Sequence, residues 1–401
     1  MEQNIWKKDF PQLQNSIVYL DSAAMSLKPN TVVDQVHHYY NDLSVNIHRG
    51  FYPTGLETSA LYESTRETVA SYIGCSEEEI VFTRGTTASL NLVAFSYGLN
   101  SINEGDEIIT SELEHHSNLL PWMEVAKKKN AKLVYIPLTE EGRITVEAFK
   151  SVLSSKTKVV ALTYVSNVMG YITPIEEITK LAHEVGAIVS VDGAQALPHL
   201  RINVRKLDID FLAFSGHKML GPTGVGVLYG KHSLLDKMAP TEFGGDMNDI
   251  VNKFDAVYKD VPYRFESGTM PVASVIGLKN AIDYLNQVGI ETIEDYQNKV
   301  YRYALARLSK IEGVEIYNPN SDTAIISFNL KDVPPHDAVS YYSEKNICMR
   351  SGQHCAKLVS DFLGIQGCLR ASFYIYNDYK DVDQFIDVTK EAIAFFKRMG
   401  F

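Results

Sequence analysis

The sequence has few cysteines and no C-x-x-C pair; its four cysteines are Cys75, Cys348, Cys355 and Cys368. In a chain of 401 residues these do not make a disulfide framework, and their spacing does not suit a zinc or iron–sulfur site made by this chain alone. No run approaches the roughly 18 apolar residues of a membrane span, and the N-terminus lacks the apolar core of a signal peptide. We therefore expect a cytoplasmic protein with reduced thiols, no metal site of its own and no membrane contact.

Positive charge is also scarce. Lysine and arginine number 38 against 49 aspartate and glutamate residues, which gives a formal net charge of −11. A nucleic-acid-binding protein would show a basic face, so we do not expect that class. The charge balance instead fits a protein that handles small molecules or other proteins.

The middle of the sequence alternates short apolar runs with helical patterns. Seven runs are rich in valine and isoleucine and nearly continuous in apolar residues, which is typical of strands buried on both faces of a mainly parallel sheet. Amphipathic segments at 117–129, 145–154 and 175–185 predict helices on both faces of this sheet, and hence an α/β fold. The seven predicted strands are 79–82, 106–111, 132–137, 158–166, 187–193, 210–216 and 224–230.

Beyond about residue 262 the pattern changes, and it predicts a smaller α+β domain. We expect a large domain over 20–262, with the smaller one formed by 1–19 and 263–401. The predicted elements of this second part are helices at 277–289, 291–311 and 381–398 and strands at 323–330, 346–352 and 369–377.

A lysine follows the sixth predicted strand, in the segment Ser215-Gly216-His217-Lys218, just before a turn rich in glycine and proline. Ligands of α/β sheets bind at the carboxyl ends of the strands. Partial desolvation there lowers the pKa of a lysine amine and makes it a Schiff-base nucleophile. The alternative is a surface lysine in a loop, against which the neighbouring serine, histidine and glycines argue.

Asp192 ends the fifth predicted strand, and Gln195 follows within one helical turn. Such an aspartate is often only the N-cap of the next helix. Together with a Schiff-base lysine, however, it suggests a carboxylate that faces the pyridinium nitrogen of pyridoxal phosphate (PLP).

Two further strands end in polar residues. Gly85-Thr86-Thr87 opens a predicted helix, and a helix N-terminus with two hydroxyl groups is either a phosphate site or an ordinary cap. His115 and His116 follow the second predicted strand; one histidine of the pair can stack on a flat cofactor, or both are polar loop residues. Adjacent side chains diverge, so we expect no metal here. The four features stand in chain order at four strand ends of one sheet.

Together these motifs resemble the class V, fold-type I PLP-dependent enzymes, and within them the SUF-type (SufS-like) cysteine desulfurases, over nearly the full length. The resemblance implies a homodimer that removes sulfur from L-cysteine and passes it on for iron–sulfur cluster assembly. The segments that carry it are YLDSAAMSLKP (19–29), NIHRG (46–50), RGTT (84–87), EHHSNLLPW (114–122), VSNVMG (165–170), VDGAQ (191–195), SGHKMLGPTGVGVLYG (215–230), RFESGT (264–269) and RSGQHCA (350–356).

The resemblance also implies a role for each matching residue. Lys218 would hold PLP covalently and remove the Cα proton of cysteine. The thiol of Cys355 would take the sulfur as a persulfide and release alanine, and positive charge on His354, His115 and Arg350 would favour its thiolate. The cofactor residues implied are Thr86, Thr87, His115, Asp192, Gln195, Ser215, His217, Lys218 and, reaching the neighbouring subunit, Thr269. The substrate residues implied are Asn167, Arg370, Arg350 and His48.

The resemblance suggests an acceptor as well. In SUF-type enzymes that work with a zinc-bound SufU-type acceptor, a histidine at the position of His336 takes over a zinc ligand site; the alternative is a histidine that merely starts a helix. Gln353, Lys357 and Leu358 depart from the family pattern near the cysteine. The rival functions are selenocysteine lyase, another class V lyase or aminotransferase, and a non-catalytic PLP-binding scaffold.

Overall fold

The computed structural model describes residues 4–400, so the first three residues of the predicted small domain, and residue 401, lie outside the described part. The strands are β1 (Val18–Tyr19), β2 (Ile80–Thr83), β3 (Glu107–Thr110), β4 (Lys132–Tyr135), β5 (Thr157–Thr163), β6 (Ile188–Asp192), β7 (Phe211–Ser215), β8 (Gly226–Gly230), β9 (Asn248–Val251), β10 (Ala256–Tyr258), β11 (Val314–Ile316), β12 (Ile325–Leu330), β13 (Ile347–Cys348), β14 (Arg350–Gly352) and β15 (Cys368–Ser372).

The helices alternate with the strands through most of the chain. A π-helical stretch, Val93–Gly98, continues the third helix, and a single 3₁₀ turn, Gly216–Lys218, follows β7. The helices are α1 (Asn30–Asp42), α2 (Pro53–Ile73), α3 (Thr86–Leu92), α4 (Leu99–Ser101), α5 (His116–Lys129), α6 (Val146–Val152), α7 (Ile175–Glu184), α8 (Val204–Leu207), α9 (His232–Leu235), α10 (Val272–Val288), α11 (Ile290–Leu308), α12 (Pro335–Glu344), α13 (Lys357–Phe362) and α14 (Tyr379–Met399). Among residues 4–400 no helix is long and apolar enough to cross a membrane.

The larger sheet has seven strands in the order β2-β8-β7-β6-β5-β3-β4. All neighbours are parallel except β8, which is antiparallel to both β2 and β7. Each of the seven predicted runs overlaps one of these strands, so the predicted mainly parallel sheet is confirmed.

Side chains alternate between the faces of this sheet, which explains the continuous apolar runs. In β5, Val160 and Leu162 belong to the core shared with α1, α2, α7 and α10, whereas Val159 and Ala161 belong to the core shared with α3 and α5. Because successive side chains of a strand point to opposite faces, both sets must be apolar when both faces are covered.

The smaller sheet is antiparallel, in the order β11-β12-β15-β14, and its core includes α11, α12 and α14. Two strand predictions were wrong here. The single strand expected at 346–352 is divided: β13 pairs with β1, and β14 pairs with β15. The strand expected at 369–377 ends at Ser372, because the side chain of Asn377 accepts from the Tyr374 N–H and turns the chain.

Candidate active site

A cavity of about 170 Å³ lies at the carboxyl ends of the central strands of the larger sheet. It brings together residues from five strand ends, from the N-terminal segment and from the smaller sheet. The structure thus gathers ten of the fifteen predicted site residues in one place: Thr86, Thr87, His115, Asn167, Asp192, Ser215, His217, Lys218, Arg350 and Arg370.

Lys218 lies on the 3₁₀ turn that follows β7. Burial lowers the pKa of its amine from 10.5 to about 8, and the nearby charge of Asp192 opposes this shift. The turn is held firmly, because the carbonyl of His217 accepts hydrogen bonds from the N–H and the hydroxyl of Ser26, at 3.0 and 3.1 Å, and from Nζ of Lys28 at 3.1 Å. An amine that loses its proton near neutral pH serves both as a nucleophile and as a base.

Asp192 is buried at the end of β6. Its Oδ1 accepts from the Ala194 N–H at 2.9 Å, and its side chain lines the cavity. The alternative that Asp192 is the N-cap of the next helix is wrong, because that helix, α8, begins at Val204 and is capped by Asn203. Burial raises its pKa, and the charge of Lys218 opposes the rise. Gln195 is buried next to the cavity without lining it, and its amide nitrogen donates to the Ala23 carbonyl at 2.6 Å.

Hydroxyl groups surround the N-terminus of α3. The Thr86 N–H donates to Oγ of Ser215 at 2.7 Å, and the hydroxyls of Thr86 and Ser215 lie 2.6 Å apart. Gly85 precedes the helix at φ +150°, and a Cβ on Gly226 of β8 would lie 2.3 Å from the Gly85 Cα. Only glycine fits this close approach, and Thr86, Thr87 and Ser215 around this helix N-terminus line the cavity.

The two adjacent histidines have separate surroundings. His115 caps α5, its Nδ1 accepting from the Ser117 N–H at 3.1 Å, and its ring lines the cavity. Burial, and then the charge of Lys218, lowers the pKa of His115 to about 3, so the ring is neutral at physiological pH. The His116 N–H instead donates to the carbonyl of Cys355.

Arg370 of β15 is buried and lines the cavity. Its guanidinium donates to the Asn167 carbonyl at 2.9 Å and to Asp21 at 3.1 Å, whereas its buried Nε has no partner within residues 4–400. Burial lowers its pKa, and Asp21 opposes that shift. A buried donor without a partner in the protein suggests that a ligand oxygen completes the site.

Cys355 is exposed on a tight loop between β14 and α13. Both His354 and Cys355 have left-handed backbones, with φ of 52° and 56°. His354 is buried and lines the cavity, its Nε2 lying 3.0 Å from the Cys368 carbonyl; burial, and then Arg370, holds its pKa well below 6.5. The expectation that positive charge on His354 and His115 favours the thiolate was therefore wrong. Arg350 is the charged member of that set.

Three predicted residues lie away from this cavity in the chain described. Thr269 lines a second cavity beside Ala88 and Leu92 of α3. His48 binds Glu63 at 2.8 Å and lines a third cavity. His336 is exposed in the first turn of α12, with its Nδ1 3.1 Å from the hydroxyl of Ser351 in β14. The roles of Thr269, His48 and His336 stay predictions, and that of Thr269 was expected to involve a neighbouring subunit.

Sequence reasoning missed the residues that support this site. Asp21 contacts Arg370, and Ser26 holds the turn of Lys218. Both lie in the segment 19–29, which was used only as a mark of family resemblance. Among residues 4–400 no group of three or more histidine, cysteine, aspartate or glutamate side chains is placed to hold a metal ion.

The residues of the cavity fit PLP. A helix N-terminus with hydroxyl groups suits the phosphate, a buried carboxylate suits a pyridinium nitrogen, and a lysine of lowered pKa suits the aldehyde. The sequence pattern of the family Aminotransferase class-V matches residues 18–385, and the chain belongs to this family, whose members depend on PLP.

Within this family the chain is similar to cysteine desulfurases. It is 47% identical over 397 residues to a probable cysteine desulfurase of Staphylococcus aureus, which covers 97% of this chain and 96% of that protein. The structure of the cysteine desulfurase CsdA (S-sulfonic acid) from Escherichia coli matches with a TM-score of 0.92 and 38% identity, over 97% of this chain and 98% of that one. The apo cysteine desulfurase of Thermococcus onnurineus NA1 matches with a TM-score of 0.94 and 38% identity, over 98% and 99%. The predicted resemblance is confirmed.

Proposed function

We propose that this chain removes sulfur from L-cysteine in a PLP-dependent reaction that yields L-alanine and a persulfide on Cys355. The observation that carries the proposal is the position of the Cys355 loop. Asn167 lines the cavity that holds Lys218, and its Nδ2 donates to the carbonyl of the neighbouring His354 at 2.8 Å. The relatives named as cysteine desulfurases support the same reaction.

When bound, PLP supplies an electron sink that makes the Cα proton of cysteine acidic and allows its Cβ–S bond to break. We assign Lys218 to covalent attachment and Asp192 to the ring nitrogen, because it is the buried carboxylate of the cavity. Gln195 retains one amide hydrogen beyond its bond to Ala23 and is assigned to the ring hydroxyl. His115 is assigned to the ring face, and the phosphate ligands assigned are Thr86, Thr87, Ser215 and His217.

Arg370 and Asn167 are assigned to the substrate carboxylate. The guanidinium is fixed by Asp21 and the Asn167 carbonyl, and its Nε remains free for an oxygen of the substrate. A charged hydrogen bond to a buried, pre-oriented arginine is worth more than a contact in water. The arrangement therefore selects substrates with an α-carboxylate.

Lys218 and Cys355 carry the reaction steps that belong to the protein. Nζ of Lys218, with a pKa of about 8, accepts the Cα proton. The thiolate of Cys355 forms a bond to the substrate sulfur while the substrate Cβ–S bond breaks. The electron pair of that bond stays on the β-carbon. This carbon then takes up a proton, and the product is released as alanine. Arg350 also lines the cavity.

The persulfide then passes to an acceptor, for which we propose a zinc-bound SufU-type protein that serves iron–sulfur cluster assembly. His336 supports this proposal, because it is exposed and contacts β14, the strand that leads into the Cys355 loop. Copurification of a zinc-loaded acceptor with wild type, His336→Ala and the exposed control His37→Ala tests it. Binding lost only in His336→Ala is expected; equal binding by all three would reject the role of His336.

We propose that the enzyme is a homodimer in the cytoplasm. The hairpin of β9 and β10 carries the exposed apolar side chains Ile250, Val251, Phe254 and Val257, which a second copy would cover. We propose that Thr269 and His48 act at the active-site cavity of the second copy, across such an interface. A reducing compartment would keep all four cysteines as the free thiols observed.

Alanine and sulfide released from L-cysteine, with dithiothreitol as the acceptor, test the reaction itself. We expect equal amounts of both products from wild type and loss of sulfide release in Cys355→Ala. Full activity in Cys355→Ala would reject the persulfide route. Selenocysteine as a competing substrate separates a desulfurase from a selenocysteine lyase, and a PLP absorbance band without turnover would identify a scaffold.

A further inference from the structure

His116 has no part in the proposed chemistry, yet its backbone and its ring are both directed at the Cys355 loop. Its N–H donates to the Cys355 carbonyl at 2.8 Å, and its ring Nε2 lies 3.2 Å from the backbone nitrogen of Lys357. A backbone N–H can only donate, so Nε2 is the acceptor and the ring proton lies on Nδ1. His116, the first residue of α5, thus contacts the two residues that flank Ala356.

Two helix starts meet at this contact. His116 is the first residue of α5 and Lys357 is the first residue of α13. The first N–H groups of a helix have no partner within that helix. Here each is satisfied by the other segment, and the His116 ring replaces a side-chain cap that Ala356 does not provide.

The backbone conformation of the loop depends on such contacts. A left-handed φ, as at His354 and Cys355, is unfavourable for residues other than glycine and persists only where the surroundings fix it. The carbonyl of His354 is held by Asn167 and that of Cys355 by His116. Both residues with a left-handed backbone are therefore hydrogen-bonded to segments that follow strands of the larger sheet.

We propose that His116 is a positioning residue for sulfur transfer. Its two hydrogen bonds to the loop, which we call the clasp, hold the Cys355 thiol at the cavity for attack on the substrate sulfur. The role of the loop in catalysis rests on the proposed function, whereas the existence of the clasp does not. His116 does not line the cavity, so substrate binding should not depend on its ring.

Amide hydrogen exchange in the cofactor-loaded protein without cysteine tests the clasp directly. His116→Ala removes the acceptor of the Lys357 N–H but keeps the backbone N–H of residue 116. We expect exchange in 353–358 to accelerate about threefold to tenfold, the range for one net hydrogen bond. The exposed His37→Ala, on α1, is the matched control and should show wild-type exchange.

Single-turnover formation of the Cys355 persulfide, followed by mass spectrometry, tests the positioning. In His116→Ala we expect its rate to fall about threefold to tenfold while KM for L-cysteine and the PLP spectrum stay unchanged. His116→Gln should restore the rate, because a glutamine carbonyl can accept the Lys357 N–H.

A second variant approaches the same bond from the donor side. Lys357→Pro removes the N–H, and proline is tolerated at the first position of a helix. It should reproduce the effect of His116→Ala, and the double variant should be no slower than either single one, because all three remove one bond.

Wild-type exchange in both His116→Ala and Lys357→Pro would overturn the clasp. Accelerated exchange with an unchanged persulfide rate would overturn the positioning role. If wild type formed no persulfide on Cys355, the proposed function would fail, while the exchange result would still decide whether the clasp exists.

Discussion

At the scale of single residues, burial shifts the pKa values of two groups that line one cavity, with different consequences for each. It lowers the pKa of Lys218 to about 8 and that of His115 to about 3. The amine can therefore exchange a proton near neutral pH, whereas the imidazole stays neutral and presents an uncharged ring. The lowered pKa of Lys218 was predicted from its position at a strand end, but the neutral state of His115 was not, since it depends on burial and on charges that other strands supply.

The rate at which PLP attaches to the apoprotein should follow the ionisation of Lys218. Only the neutral amine is a nucleophile, so the rate should rise with pH through about 8 rather than 10.5. The absorbance band of the attached cofactor measures it. Lys218→Ala is the control, because burial also lowers the pKa of Lys28 to about 8. A rate that rises only above pH 10 would contradict the expected ionisation.

Arg370→Lys should lower kcat/KM for L-cysteine about tenfold or more. Lysine keeps the positive charge but loses the planar set of donors that contacts Asn167 and Asp21 and that we assign to the substrate carboxylate. Cysteamine, which lacks the carboxylate, provides the control in competition assays. The preference of wild type for cysteine over cysteamine should shrink in the variant; an undiminished preference would show that Arg370 does not bind the carboxylate.

At the scale of secondary-structure elements, agreement with the sequence follows the strength of the apolar pattern. All seven strands of the larger sheet were predicted, because strands covered on both faces must be apolar throughout. The hairpin of β9 and β10 was not, because its side chains are mostly exposed and its pattern is weak. The short β1 was missed as well, since its partner β13 lies more than three hundred residues away in the chain.

Gly226→Ala should weaken PLP binding about tenfold or more. The new Cβ would lie 2.3 Å from the Cα of Gly85, so the turn that opens α3 must move, and overpacking of this kind costs about 1–3 kcal/mol. Gly245→Ala is the matched control, since nothing lies within 4 Å of its Cβ position. PLP titration of the apoproteins measures the effect, and equal affinities would contradict the phosphate site.

At the scale of the whole molecule, residues of both sheets and of the N-terminal segment line one cavity. We propose that the sheets mark two domains, 20–262 and 1–19 with 263–401. In the described part of the chain, α10 packs in the core of the larger sheet, although it lies beyond residue 262. The sequence could not show on which sheet α10 packs, because its pattern is that of an ordinary amphipathic helix.

Acid should destabilise the fold between about pH 6.5 and 4, and His199 should contribute. This buried residue joins the two parts of the molecule: its Nδ1 contacts Oε1 of Gln297 at 2.9 Å, and its ring packs on Tyr374. Burial lowers its pKa to about 4, whereas the unfolded chain takes up the proton at 6.5. Stability present above pH 6.5 is thus lost as the pH falls, by about 3 kcal/mol at most for this group.

Denaturant midpoints at pH 7.5 and pH 5 measure that loss. His199→Leu should be less stable at both values, because Gln297 loses its partner, but its midpoint should fall less between them than that of wild type. The exposed His37→Gln should keep the wild-type difference. An undiminished pH dependence in His199→Leu would exclude His199 as a source of the acid sensitivity.

The proposed function depends on the destination of the substrate sulfur. One equivalent of ³⁵S-labelled L-cysteine added to the PLP-loaded enzyme, followed by rapid quenching and peptide mass spectrometry, measures that destination most directly. We expect one labelled sulfur on the peptide that contains Cys355, removable by dithiothreitol, together with one equivalent of alanine. Label on Cys75, Cys348 or Cys368, or alanine formed with all label released as free sulfide in a Cys355→Ser variant, would contradict it.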